Sequence, residues 1–374
     1  MGAPPFLVIG NPENRRVTLF QAALAARGLP PAHVVPWRAL LRDPAVLADL
    51  PDTERLVRID SAGESFEVEK ALLKRGHEDA RALGCAVLTP EQIDALPEDH
   101  GRILCPRQHH LGFLRTLRQL EAIFAGHPRW RVLSSPASIA ELFDKRVTSR
   151  KYAARGIPVP PALEGITDVE SLRTRMREEG WREVFVKLSC GSSASCLGIF
   201  RLGRSDESLF TTLEQTDTGW YNSLKVRRVR EPQRVEAALE FLLREGSQVE
   251  RALPKARLRG DFFDCRVLVV RGEPAFTVIR QSRHPITNLH LGGKRGDMEA
   301  FLAAVPPREL EAAMETCRQV ARAHDCLHVG IDLMYEAHFQ GHAVLEANAF
   351  GDLLPNLRRD GLSVYEWEIR EALR

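Results

Sequence analysis

The sequence predicts an open α/β unit followed by a β-rich α+β region, on three observations. The first forty residues alternate strand, helix and strand. One glycine and three prolines between Gly156 and Pro161 then stop a helical stretch. Beyond that stop the apolar runs are short and bounded by turn residues, the habit of strands.

Phe6-Leu7-Val8-Ile9-Gly10 is a short apolar run ended by the turn signal Gly10-Asn11-Pro12. Val17 to Arg27 places Leu19, Phe20, Ala23 and Leu24 at helical spacing, and Gly28 stops it before a second strand from Ala32 to Trp37. Leu56 to Ile59 is a third strand, ended by Asp60-Ser61-Ala62-Gly63. Open α/β sheets bind ligands beyond the carboxyl ends of their strands, so Arg58, Asp60 and Ser61 are candidates for substrate contact. The alternative is a cap for the helix from Phe66 to Arg75. His109 and His110 are not read as a metal pair, because adjacent residues do not share a helix or strand face. Arg107 to Arg118 reads as a helix with Arg115 and Arg118 on a solvated face.

Ser135-Pro136 starts a helix with proline at its first position. The pattern continues through Leu142-Phe143-Asp144-Lys145 to Arg155, where Gly156 ends it and the prolines prevent its resumption. The domain boundary is placed at the start of this helix, giving residues 1–135 and 136–374. Strands follow over Glu183 to Leu188, Cys196 to Leu202, Ser247 to Leu253, Cys265 to Val270 and Ala275 to Arg280. The last two are joined by Arg271-Gly272-Glu273-Pro274, a hairpin-like connection. Arg308 to His324 is amphipathic, with Leu310, Met314, Cys317, Val320 and Ala321 on one face.

The densest chemistry lies in Val329-Gly330-Ile331-Asp332-Leu333-Met334 and Val344-Leu345-Glu346-Ala347-Asn348. Strand side chains alternate between faces, so Glu346 and Asn348 point together and Ala347 points away. Three hard oxygen donors from two strands suit Mg²⁺, which is held by one or two carboxylates plus substrate phosphates. Upstream, Phe185-Val186-Lys187-Leu188 is an apolar strand carrying a lysine, costly to bury without a partner. The run Ser189-Cys190-Gly191-Ser192-Ser193-Ala194-Ser195-Cys196 follows it directly. Small residues let backbone N–H groups approach a phosphate closely, although a hairpin turn explains the same run. It is not a Walker A loop, since the lysine precedes it and no GK[ST] closes it.

Composition excludes other classes. Fifty-two basic and 50 acidic residues leave a net charge of +2, so no global field favours nucleic acid or an anionic membrane. Only eight of the basic residues are lysines, which makes each placed lysine informative. The seven cysteines show no CxxC pair, which argues against a disulfide framework or structural zinc site and fits a reducing cytoplasm. Cys190 and Cys196 are read as small-residue fillers rather than redox groups. Neither a signal peptide nor a membrane span is visible, so the expected location is cytoplasmic.

In this order the motifs resemble the ATP-grasp superfamily, over about residues 136 to 374. Asp144-Lys145 before Gly156-Ile157-Pro158-Val159-Pro160 looks like its first nucleotide-binding lysine. Val186-Lys187 with the loop through Ser189, Gly191, Ser192 and Ser193 looks like the second lysine and the phosphate-covering loop. Val249-Glu250-Arg251-Ala252-Leu253 resembles the hinge strand that meets adenine or ribose. Asp264-Cys265-Arg266-Val267 looks like its D-x-R strand. Arg280-Gln281-Ser282-Arg283 through Thr287-Asn288 to Gly293 is similar to the substrate-side segment of RimK and glutathione synthetase. The resemblance implies a Rossmann-like pre-ATP-grasp domain, then an ATP-grasp fold of two subdomains with nucleotide between them. It implies Asp332, Glu346 and Asn348 as ligands of Mg²⁺, or Mn²⁺ in its place, beside ATP. It implies Arg266, Arg280, Arg283 and Asn288 as catalytic residues, and Lys145, Lys187, Ser189, Gly191, Ser192, Ser193, Glu250, Arg251 and Leu253 as nucleotide contacts. Outside that list Arg257, Arg259 and Lys255 are solvated by default, and Asp352 is a candidate amine contact.

The activity implied is an ATP-dependent ligase joining a carboxylate to an amine through an acyl phosphate, with release of ADP and phosphate. The substrates would be an amino acid, peptide or peptide-like molecule, with no nucleic acid or membrane partner and a homodimer as the default assembly. A kinase on the same grasp would need an acidic general base near the acceptor. A regulatory nucleotide-binding protein without turnover would not need all three metal ligands.

Overall fold

The structure, a computed structural model, describes residues 4–191, 196–351 and 354–374. Three sheets organise it. The first is parallel and runs in the order His33–Pro36, Phe6–Gly10, Arg55–Ile59, Trp130–Val132. Its Phe6–Gly10 strand is buried throughout, as a strand covered on both faces must be. The strand predicted to reach Trp37 stops at Pro36, and Trp37 instead opens a helix to Arg42. The indole is fully buried and its Nε1 donates to the Asp60 carbonyl at 3.0 Å.

The second sheet is antiparallel, in the order Ala162–Leu163, Ser247–Arg251, Glu183–Leu188, Leu197–Leu202, Glu207–Thr216, Gly219–Val229. Helices Val169–Glu178 and Pro232–Arg244 contribute Leu172, Met176, Leu239 and Leu242 to the core that also receives Val184, Val186 and Leu188. The long hairpin from Glu207 to Val229 has no counterpart in the sequence reading. Its second strand is exposed or half-exposed and carries Lys225, Arg227 and Arg228, so no buried face advertises it.

The third sheet is also antiparallel, in the order Lys294–Arg295, Glu273–Ser282, Asp261–Val270, His328–Tyr335, His342–Asn348. Its central hairpin turns at Arg271 and Gly272, both at positive φ (51° and 82°), the pairing a two-residue turn between twisted strands requires. Helix Pro307–Arg322 backs this sheet through Ala313, Cys317, Val320 and Ala321. The C-terminal helix Val364–Ala372 returns to the first unit and packs Tyr365, Ile369 and Ala372 among Phe6, Val8 and Phe20.

The helix predicted to run unbroken from Pro136 to Arg155 is two helices, Pro136–Leu142 and Lys145–Ala153. Asp144 breaks it, adopting extended backbone and accepting from the Arg146 N–H at 3.0 Å. This N-cap stabilises the second helix. It also places Lys145 at that helix's first position, turned toward the two antiparallel sheets. Among the described residues, no helix is long and apolar enough to cross a membrane.

Candidate active site

A cleft enclosing about 900 Å³ of empty space, its open mouth included, lies between the second and third sheets. Strand alternation builds one wall. Val184, Val186 and Leu188 point into the core of the second sheet, so Phe185 and Lys187 face the cleft. The neighbouring strand presents Glu250 beside them, with Val249 turned to the core. Lys187 Nζ lies 2.5 Å from Glu250 Oε1, and the pair is almost wholly buried. Burial pushes the Glu250 carboxyl above its ordinary range, with Lys187 opposing. Its second oxygen, Oε2, has no hydrogen-bond partner among the described residues and is open to a ligand.

The opposite wall carries the carboxylates. Asp332 pairs in register with Glu346, and Gly330 with Asn348. The register then slips, with Leu333 opposite Val344. Leu345 is the extra residue of this bulge, which explains how Leu345 and Glu346, adjacent in sequence, both line the cleft. Ala347 turns to the core as alternation requires. Asn348 Nδ2 donates to Glu346 Oε1 and to the Gly330 carbonyl, both at 3.4 Å.

Arg266 grips Asp332 with two donors, Nε to Oδ1 and one terminal nitrogen to Oδ2 at 3.0 Å. Arg280 reaches the same Oδ1 at 3.1 Å. Burial alone would raise the Asp332 carboxyl, but the two guanidinium groups override it and hold it well below the usual carboxylate range. Arg280 is itself fixed through Nε to Asp264 Oδ1 at 2.7 Å, and the Thr287 hydroxyl donates to Asp264 Oδ2.

Lys145 donates to the Gly191 carbonyl and lies 3.4 Å from Glu346 Oε2, so it bridges the small-residue run and the carboxylate strand. Between the charged groups runs an apolar slot, with Phe185 and Leu253 on one side and Met334 and Leu345 on the other. Such a slot accepts a flat aromatic ring.

The cleft brings together Lys145, Lys187, Gly191, Glu250, Arg251, Leu253, Arg280, Asn288, Asp332 and Glu346. Asn348 and Arg266 stand directly behind Glu346 and Asp332. Two residues go elsewhere. Ser189 is fully buried and turns its hydroxyl to the Gly246 carbonyl at 3.0 Å, so it clamps a loop. Arg283 is exposed and does not line the cleft. Ser192, Ser193 and Asp352 lie outside the described residues.

Three readings are corrected. Lys255, expected in solvent, has a side chain only 7% exposed and lines the cleft. Arg58 and Asp60, candidates for substrate contact, are buried in an ion-pair cluster with Glu368 of the C-terminal helix, at 3.2 and 2.7 Å from the Arg58 nitrogens. The helix expected over Phe66 to Arg75 runs on to Ala82, and Ser65 holds its N-cap position without a side-chain cap bond.

The donor set fits Mg²⁺. Asp332 accepts three guanidinium contacts, leaving one of about four lone-pair positions for a cation. Glu346 adds a carboxylate and Asn348 an amide oxygen. Among the described residues, no three His, Cys, Asp or Glu side chains converge to hold a metal, so the remaining ligands would be water or substrate phosphate.

No protein-family profile matches the chain, and no curated protein sequence does. Solved structures do match it over nearly its whole length. The ATP-grasp ligase PsnB, solved with a minimal precursor, Mg and ADP, is 15% identical with a TM-score of 0.53, covering 100% of this chain and 99% of its own. The D-cycloserine synthetase DcsG is 14% identical with a TM-score of 0.55, covering 99% of each chain. The macrocyclase MdnC of Microcystis aeruginosa MRC, bound with precursor peptide MdnA, is 12% identical with a TM-score of 0.53, covering 98% of each. At these identities the likeness establishes the fold, which is that of the ATP-grasp ligases.

Proposed function

We propose that this chain is an ATP-dependent ligase that joins a carboxylate to an amine through an acyl phosphate. One observation carries the reading. A single cleft combines an apolar slot, the buried acceptor Glu250, two lysines and the carboxylates Asp332 and Glu346, with Asn348 hydrogen-bonded to Glu346. Adenine fits the slot, with Glu250 accepting from the base or ribose. Lys145 and Lys187 are point charges for the phosphates; Arg266 fixes Asp332 by bidentate geometry, and Arg280 bridges Asp332 and Asp264. Asp332, Glu346 and Asn348 would hold Mg²⁺, whose chemistry is to neutralise charge developing on the phosphates.

The substrate carboxylate attacks the γ-phosphorus of ATP, and the bond to the ADP oxygen breaks. The amine nitrogen then attacks the acyl carbon, phosphate leaves, and the amine proton passes to solvent. The protein supplies position and fixed charge, and no nucleophilic side chain is required. A peptide or peptide-like carboxylate is the substrate class, supported by the precursor complexes of PsnB and MdnC. The branch is that of RimK and glutathione synthetase, supported by the segment from Arg280 to Gly293.

Phosphorus NMR with Mg·ATP and pooled amino acids and small peptides tests this. ADP with inorganic phosphate, dependent on the pool, is expected, and splitting the pool finds the substrate. ADP with a new phosphomonoester makes the protein a kinase. AMP with pyrophosphate overturns the acyl-phosphate route.

A further inference from the structure

We propose that residues 99–107 of the first unit form a releasable strap, which holds the second sheet over the cleft and lets go when the cleft exchanges its ligand. That ligand rests on the nucleotide reading of the cleft, whereas the strap stands on contacts outside it. The chain enters and leaves the second sheet near one edge, through Ala162–Leu163 and Ser247–Arg251. Beside that edge the Val344 N–H donates to the Pro158 carbonyl and the Ala256 N–H to the Tyr335 carbonyl, both at 2.9 Å. The opposite edge, strand Gly219–Val229, lies five strand spacings away, roughly 24 Å.

At that far edge the first unit adds a piece of strand. Arg102 pairs antiparallel with Tyr221. The Ile103 N–H donates to the Trp220 carbonyl at 2.8 Å, and the Asn222 N–H to the Gly101 carbonyl at 2.7 Å. The Tyr221 hydroxyl donates to Asp99 Oδ2, and a terminal nitrogen of Arg102 to the Thr218 carbonyl at 3.1 Å. Farther along, the Glu245 carboxylate accepts from the Arg107 N–H at 3.3 Å, at the start of helix Pro106–Ala125. Two features make this grip releasable. It is short, since the two main-chain bonds engage an 11-residue strand at Trp220 and Asn222. It is also strained, since Cys105 sits at φ 36°, a left-handed conformation that a residue with a side chain adopts at a cost. The strap further touches both ends of the small-residue run. The Asn222 side-chain oxygen accepts from the Cys196 N–H at 3.2 Å, and the Cys190 thiol donates to the Pro106 carbonyl at 3.8 Å. A ligand that displaces either cysteine therefore acts on the strap directly.

The test locks the strap. Arg102 and Tyr221 are a non-hydrogen-bonded antiparallel pair, a class whose Cα atoms lie about 4.5 Å apart, within the span of a disulfide. The double variant Arg102→Cys with Tyr221→Cys, oxidised with diamide and then reduced with a phosphine, is compared with each single variant and the unaltered protein. Stopped-flow fluorescence of methylanthraniloyl-ADP with Mg²⁺ gives the association and dissociation rates. Oxidation should slow both at least tenfold in the double variant alone, and reduction should restore them. Equal rates in the two states overturn the proposal, as does a pair that fails to cross-link. Hydrogen exchange supplies a readout that needs no nucleotide. In the unaltered protein the Ile103 and Asn222 amides should exchange at least tenfold faster than the ladder amides of Glu183–Leu188 and Ser247–Arg251. Equal protection would make the segment a fixed part of the sheet and overturn the strap. If methylanthraniloyl-ADP does not bind the unaltered protein, the nucleotide reading fails, and the exchange comparison still decides the strap.

Discussion

Asp332 and Glu346 face one another across adjacent antiparallel strands, and the register slips immediately beyond them. The slip turns Leu345 into the same cleft and leaves the carboxylates at its edge. Glu346→Gln keeps the shape of the pair and removes one charge. Among the described residues its ion pair is to Lys145 at 3.4 Å on a partly exposed carboxylate, so little stability depends on it. ADP release should fall at least ~100-fold, about 2.7 kcal/mol of transition-state stabilisation. The melting temperature should move by no more than about 3 °C. A coupled ADP assay beside a thermal melt decides it, and unchanged turnover removes Glu346 from the metal set.

Lys187 and Glu250 form a pair that water scarcely reaches. Removing one partner of such a pair costs about 3–5 kcal/mol, because the other charge stays buried. Lys187→Met should therefore destabilise the fold by about that amount, and Lys187→Met with Glu250→Gln should recover most of it. The sign of the pH dependence follows from Glu250. Burial already raises its folded carboxyl above the ordinary value, and loss of Lys187 raises it further. A carboxyl raised in the folded state binds more protons there than when unfolded, so stability falls as pH rises from the ordinary carboxyl range toward the folded value. Urea unfolding of Lys187→Met at several pH values should show that fall. A flat profile would mean that Glu250 does not carry the charge assigned to it.

The candidate residues named from the sequence share one property: their chemistry interrupts a local pattern. Lys187 breaks an apolar strand, and Asp332, Glu346 and Asn348 sit at alternating positions of two others. Lys255 breaks nothing nearby, and its partners Pro285 and Thr287 lie thirty residues on, so only the folded chain brings them together. Asp144 was not legible as the end of one helix and the start of the next, because flanking apolar residues sustain the period across it. Ser189 shows the converse error. A hydroxyl in a small-residue run suggests a phosphate, yet the backbone at Gly246 claims it.

Arg58 illustrates how a strand-end charge can be structural. It is 2% exposed, paired with Asp60 and Glu368, and its guanidinium stacks over Phe20 at 4.8 Å. The cluster fastens the C-terminal helix to the first sheet. Arg58→Met should lower unfolding free energy by about 3–5 kcal/mol by stranding two buried carboxylates. Mg·ADP affinity, measured by calorimetry at a temperature where the variant is folded, should be unchanged. A selective loss of affinity without loss of stability would return Arg58 to the substrate-contact list.

The helices Phe66–Ala82 and Pro106–Ala125 cross with their backbones in close approach at Gly76 and Gly112. A Cβ on Gly112 would meet the Leu72 carbonyl oxygen, and one on Gly76 the Gln108 carbonyl oxygen, both well inside van der Waals contact. Neither neighbour is a flexible side chain, so relief requires the helices to separate. Gln108 ties the same crossing, donating to the Leu73 and Leu88 carbonyls at 2.8 and 2.9 Å, and separation would strain those bonds. Helix propensity alone predicts the opposite, since alanine in place of an interior glycine stabilises by up to about 1 kcal/mol. Overpacking against backbone should dominate here, at ~3 kcal/mol or more. Gly112→Ala should therefore shift the urea midpoint down while the folded fraction binds Mg·ADP normally, because no cleft residue lies on either helix. An unchanged or raised midpoint would show that this crossing has slack the structure does not contain.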